Sequence, residues 1–190
     1  GRNVTTKNAT AVRDIVYGRT RKGGTIVYQS VCGVDGRYDS PLNVDGTEKD
    51  YVSRLNFVIC WHHTRVDAIE QIWLDDTLAW QNGYYKNQYA SNGTSHSQGK
   101  NFSLQNKLGN ASQSAVNINY DTEWDSNKKL NYIAYTRVTF IHDPDLYANG
   151  VPKVTARIRG RRVYDPRSGQ HGNSTNPVLC LRDYLTNSDY

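Results

Sequence analysis

Methionine is absent from the sequence, and so is any apolar run near the roughly 18 residues that a membrane-spanning helix requires. No membrane segment is expected, and no charged-then-apolar leader stands at the start. A chain that opens on Gly1 without methionine is expected to be a piece of a longer polypeptide. Cysteine is scarce: Cys32, Cys60 and Cys180 are odd in number and far apart, with no C-x-x-C pair and no Cys/His cluster. That spacing offers neither a zinc site nor a full disulfide framework, so three reduced, buried thiols are expected.

Catalytic signatures are missing too. H-E-x-x-H, G-x-S-x-G, the P-loop and G-x-G-x-x-G do not occur. His62 and His63 are adjacent, so on a strand they point to opposite faces and cannot share one metal in the usual way. His96, His142 and His171 stand alone in sequence. Asp75-Asp76 reads as a turn, and Asp143-Pro144-Asp145 lacks the rest of a calcium loop. The expectation is a non-enzyme with no catalytic, cofactor-binding or metal-binding residue and no cofactor.

Charge is moderate. The formal net charge is +5, with a sequence pI near 9.1 and a mean hydropathy of −0.74. The cations fall in two small groups, Arg19, Arg21 and Lys22, and Arg157, Arg159, Arg161 and Arg162. The second group alternates with Ala156, Ile158 and Gly160, the pattern of a strand's solvent face, and no specific nucleic-acid partner is expected.

What the chain has in quantity is β-forming and polar residues: 14 tyrosines, four tryptophans, and abundant Asn, Ser, Thr and Gly. Residues 1–12 read as an extended arm or linker, and residues 13–190 as a β-rich region. Thr25–Val31 is β-branched and aromatic throughout, and residues 35–49 form a long polar loop. In Arg54–Cys60, Leu55, Phe57 and Ile59 alternate with Arg54, Asn56 and Val58, so one face is expected to be buried. Ala68–Leu74 and Thr77–Trp80, joined by Asp75-Asp76, read as a hairpin. Asn131–His142 and Val154–Val163 are further strands. Residues 102–131 give mixed signals, with a short helical turn conceivable at 121–125. Near the end Asn176 caps a helix, Pro177 suits its first turn, and Val178, Leu181 and Leu185 fall on one face. The fold class expected is mainly β, barrel- or sandwich-like, with long polar loops and one short C-terminal helix.

Residues 81–101 have almost no aliphatic side chain, and a structureless segment of this length is uncommon inside a compact domain. They read as a polar excursion or inserted hairpin. Trp80, Tyr84, Tyr85 and Tyr89 crowd around it and form a candidate interaction loop, since Tyr and Trp beside Asn and Ser suit protein or sugar contacts. The alternative is that several of them pack under the loop. On the first reading, deleting residues 84–98 leaves the fold intact. Asn-x-Ser/Thr occurs at Asn3, Asn8, Asn92, Asn101, Asn110 and Asn173, which keeps a secreted or surface β-domain binding a receptor or glycan as the alternative function.

The second half carries a denser pattern. Val154–Arg167 ends in Gly160-Arg-Arg-Val-Tyr164-Asp165-Pro166-Arg167, and it is followed by Asn176-Pro177-Val-Leu-Cys-Leu-Arg-Asp183-Tyr184-Leu185. This resembles the tail-tip attachment, or host-specificity, proteins of lambda-like siphophages, in which a strand closing on G-(K/R)-x-V-Y-D-P-R precedes N-P-A-L-x-L-x-D-Y-L. Val178 stands where that family usually has Ala. Tyr17–Val27, Ala68–Asp76 and Leu108-Gly-Asn-Ala-Ser-Gln113 are weaker echoes. The resemblance implies a central tail hub of β-domains in the virion, a homotrimer around the tail axis. Its implied neighbours are the distal tail ring, the tape-measure protein and other tail-tip proteins, with a host surface receptor reached through the parent protein. It also implies that Gly160, Tyr164, Asp165, Pro166, Arg167, Asn176, Pro177, Asp183, Tyr184 and Leu185 are scaffold.

Overall fold

A computed structural model describes residues 14–33, 53–119 and 121–187. The expected arm at residues 1–12 and the polar loop at 35–49 lie outside the described residues. Eleven strands form two antiparallel sheets. The larger joins β1 (Arg19–Lys22), β4 (Val66–Leu74), β5 (Thr77–Gln81), β6 (Tyr84–Lys86), β7 (Ser95–His96) and β10 (Val154–Asp165) in the order β1-β10-β4-β5-β6-β7, with β11 (Gln170–Asn173) also on β10. The smaller runs β2 (Thr25–Gly33), β3 (Ser53–His62), β9 (Ala134–Ile141), β8 (Phe102–Leu108) in the order β2-β3-β9-β8. Neither sheet closes into a barrel, so the arrangement is the sandwich-like one. A single α-helix, α1 (Pro177–Thr186), ends the described chain.

Alternation decides which side chains meet between the sheets. Phe57, Ile59 and Trp61 of β3 and Val138 and Phe140 of β9 meet Ile69, Ile72 and Leu74 of β4 and Ala156 and Ile158 of β10 in one core. Trp61 is the extra residue where the β3–β9 register shifts, and its indole N–H donates to Thr136 Oγ1 at 2.7 Å. The sequence pattern of β3 assigned only one buried face, and the structure buries both. Val58 and Tyr135, on the opposite side of the smaller sheet, are covered by Val116, Ile118 and Trp124 from the irregular segment between β8 and β9. Asn56 is buried there as well, accepting from the Thr139 hydroxyl at 2.7 Å. Residues 121–125 form bends rather than a helical turn, with Asp121 accepting from the Glu123 and Trp124 N–H groups.

The β4–β5 hairpin turns at Asp75-Asp76 as expected, with Asp75 at φ 50°. The segment beyond it takes the hairpin alternative, β6 pairing antiparallel with β7. β6, a single 3₁₀ turn at Asn87–Tyr89 and β7 extend the larger sheet, and Tyr85, Tyr89 and Ala90 are buried in the main core. The helix forms where its cap signals place it, but its apolar stripe is turned outward. Val178, Leu181 and Leu185 are 71%, 57% and 71% exposed, and only Leu179 is buried. A polar contact holds the helix instead: Asp183 accepts from Arg161 Nε at 2.8 Å and from the Tyr17 hydroxyl at 2.7 Å.

Candidate interaction surface

The motif residues Gly160 to Leu185 come together at one end of the larger sheet, where β10, β11, α1 and the strap of residues 14–18 meet. Gly160 is required by close approach. A Cβ there would stand 2.0 Å from the Val16 carbonyl oxygen. The strap uses this closeness, with Gly160 N–H donating to Gly18 O and Arg161 N–H to Val16 O, each at 2.8 Å. Gly160→Ala is expected to push the strap away and cost about 3 kcal/mol in chemical denaturation, through overpacking and loss of two hydrogen bonds. Gly172→Ala, where a Cβ meets nothing within 4 Å, is expected to change stability by less than about 0.5 kcal/mol.

The tip of the β10–β11 hairpin is tied by Asp165. Its carboxylate accepts from the Arg167 backbone N–H at 2.9 Å, Nε at 3.0 Å and Nη2 at 2.7 Å, which holds it down at a pKa of about 2. Pro166 sits at the start of that turn, and Gly169, at φ 68°, closes it with an N–H to the Asp165 carbonyl. Asn176 accepts from Val178 N–H at 3.0 Å as the helix cap, with Pro177 in the first turn. Tyr164 lies 5.2 Å from the His171 ring and 5.6 Å from the Arg182 guanidinium carbon. Tyr184 and Leu185 are more than half exposed.

The aromatic loop divides in two. Tyr84 is 54% exposed, Trp80 packs half-buried against the core, and Tyr85 and Tyr89 are core residues. Tyr85 and Tyr89 set their rings 5.8 and 5.7 Å from Phe102, and Leu104 N–H donates to the Tyr85 hydroxyl at 3.1 Å. The excursion lacks aliphatic residues because aromatic rings fill its share of the core. Of these four only Tyr84 is more than half exposed.

Among the described residues no group of three or more His, Cys, Asp or Glu could hold a metal ion. The three thiols are free, and burial pushes that of Cys60 up to about 12. His62 is buried and His63 half-buried, their rings stacked at 5.2 Å rather than pointing apart. β3 ends at His62, and His63 lies in the bend that follows, outside the strand on which the opposite-face expectation rested.

Two residues had no assigned role in the sequence. Gln113 Oε1 accepts from Gly109 and Asn110 N–H at 3.0 and 3.2 Å, while its Nε2 donates to the carbonyls of Lys129, Leu130 and Ile133. Gly109, at φ 88°, leaves room for the backbone of Arg65 and Tyr132, which a Cβ would meet at 2.8–3.0 Å. The L-G-x-x-x-Q stretch was the available signal. Between these walls lies a cleft of about 520 Å³ lined by His63, Thr64, Arg65, Tyr132, Arg161, Arg162 and His171. It shares Arg161, Arg162 and His171 with a second depression of about 460 Å³ that reaches Tyr164, Arg182 and the end of α1.

The architecture defines a mainly β protein of two facing antiparallel sheets with a terminal helix. No protein-family model and no curated protein matches the chain. Among solved structures it is similar to a chain of the "Virion of native gene transfer agent (GTA) particle", with a TM-score of 0.51 and 12% identity. The match covers 98% of this chain and 37% of the other, so this chain spans little more than a third of that chain's length. At this identity the likeness is one of fold.

Proposed function

We propose that the chain is a structural subunit of a phage-type virion, and within it part of the central hub of a tail tip that closes in three copies around the tail axis. The observation that carries this reading is the fold shared over nearly the whole chain with a virion component. The motif that resembles tail-tip attachment proteins supports it, because its residues converge on one tied junction of strap, hairpin and helix. The outward stripe of Val178, Leu181 and Leu185 supports it too, since contiguous exposed apolar residues mark assembly surfaces. On this reading the role is assembly rather than catalysis. The neighbours are further hub copies, the distal tail ring and the tape-measure protein, with a host receptor reached through the parent protein.

Light scattering and electron microscopy of the parent protein test this directly. A threefold ring is expected, and replacing Leu181 and Leu185 together by Asp should weaken its assembly at least about tenfold without lowering the unfolding temperature of the chain. A parent protein that stays monomeric and never enters a tail would sink the hub reading and favour the receptor- or glycan-binding alternative.

A further inference from the structure

The cleft and the depression that adjoins it form one groove, floored by the β3–β4 turn and β10 and flanked by the 130–133 segment, β11 and α1. Its walls are set in advance. Leu130 and Tyr132 hold φ angles of 48° and 65°, a left-handed region that a non-glycine residue adopts only where its surroundings hold it there. The buried Gln113 amide holds the carbonyls around them in place, and the result presents a Tyr132 ring that is 62% exposed at the groove's mouth. Beside it, Arg65 is exposed and makes no ion pair among the described residues. Arg162 is already engaged, its Nη2 donating to the His171 carbonyl at 2.7 Å and its Nε lying 3.6 Å from Oδ1 of Asp67. Further along, the Arg182 guanidinium sits over Tyr164.

We infer that this groove binds an extended acidic segment of another polypeptide, with a carboxylate on Arg65 and side chains laid against Tyr132 and Tyr164. Shape and charge both favour this occupant. Two depressions joined through Arg161, Arg162 and His171 make an elongated site, which suits a strand-like peptide better than a single sugar. A nucleic-acid strand needs a row of uncompensated cations along its phosphates. Here Arg161 is already neutralised by Asp183, which itself lines the groove, and Arg162 stands near Asp67. A phosphate at every step would face those carboxylates, whereas a peptide can set a carboxylate on Arg65 and neutral side chains beside Asp67 and Asp183. The groove is complete within one chain, so this inference stands apart from the number of copies in the assembly.

The test uses the full 190-residue chain and a fluorescein-labelled peptide of alternating Glu and Ser, roughly ten residues long, read by anisotropy. Saturable binding that weakens with salt is expected. A Gln-for-Glu peptide should bind at least about tenfold more weakly, and Arg65→Glu should weaken the Glu peptide at least about tenfold with unfolding temperature unchanged. Lys100→Glu, the same charge change away from the groove, should leave affinity within about twofold. No saturation by the Glu peptide, equal binding by the Arg65→Glu variant, or an equal loss in Lys100→Glu would each overturn the inference. Tighter, Arg65-dependent binding of an oligothymidylate of similar length would overturn it in favour of a nucleic-acid groove.

Discussion

A chain lacking residues 84–98 will fail to unfold cooperatively, in contrast to what the polarity of that segment suggests. The deletion removes Tyr85, Tyr89 and Ala90 from the main core and bares Phe102, whose ring contacts both tyrosines and, at 5.7 Å, Phe140. Truncating one large buried aromatic costs about 3–5 kcal/mol, and a whole domain has about 5–15 kcal/mol of net stability. Two such losses in contact are not additive, but they are of the size of the total. The larger sheet also loses β6 and β7, which leaves β5 as an open edge. Single substitutions separate packing from pairing. Tyr85→Ala should lose about 3–5 kcal/mol in a denaturant titration, and Tyr84→Ala, at an exposed position, less than about 0.5 kcal/mol. A deletion variant that keeps a sharp transition at the parental midpoint would show that the aromatic cluster is dispensable.

The strands and the helix were legible because they rest on local patterns. β2, β3, the β4–β5 hairpin, β9 and β10 follow β-branched runs and period-two alternation, and α1 follows its Asn-Pro cap. What was hidden depends on partners distant in sequence. Tyr85 looks like a surface residue until Phe102 and Leu104 are brought to it, and Gln113 looks like any loop glutamine until three carbonyls converge on its amide. The segment between β8 and β9 has no period because it is anchored by single contacts, Trp124 on Val116 and Asp121 on the Tyr28 hydroxyl. Periodicity also finds an apolar helix face without saying what covers it. For Val178, Leu181 and Leu185 nothing among the described residues buries more than half of the side chain. The candidate groove was illegible for the same reason, since Arg65, Tyr132, Arg162 and His171 become neighbours only through the fold.

Stability will fall as pH drops below 6.5, and His62 is one reason. Burial, followed by the neighbouring His63 charge and those of Lys22 and Arg161, lowers the His62 pKa from 6.5 to about 4. The neutral ring is what the fold uses. The backbone N–H of Val16 points at Nε2 and that of Thr64 at Nδ1, each at 3.0 Å, so the neutral ring offers one of them an acceptor. A doubly protonated ring accepts from neither and sets N–H against N–H on both sides, including that of Val16, whose carbonyl accepts from Arg161. Because the unfolded chain binds this proton more readily, the contribution is complete above pH 6.5 and is lost as pH falls from 6.5 towards 4. A shift of this size corresponds to about 3 kcal/mol at most, by the linkage of 1.36 kcal/mol per pKa unit. His62→Gln, which keeps an acceptor but does not titrate, should be less stable than the parent at neutral pH and should flatten the stability profile over that window. A parent chain whose unfolding free energy does not fall between pH 7 and 5 would show that the His62 ring is free to protonate without disturbing the strap.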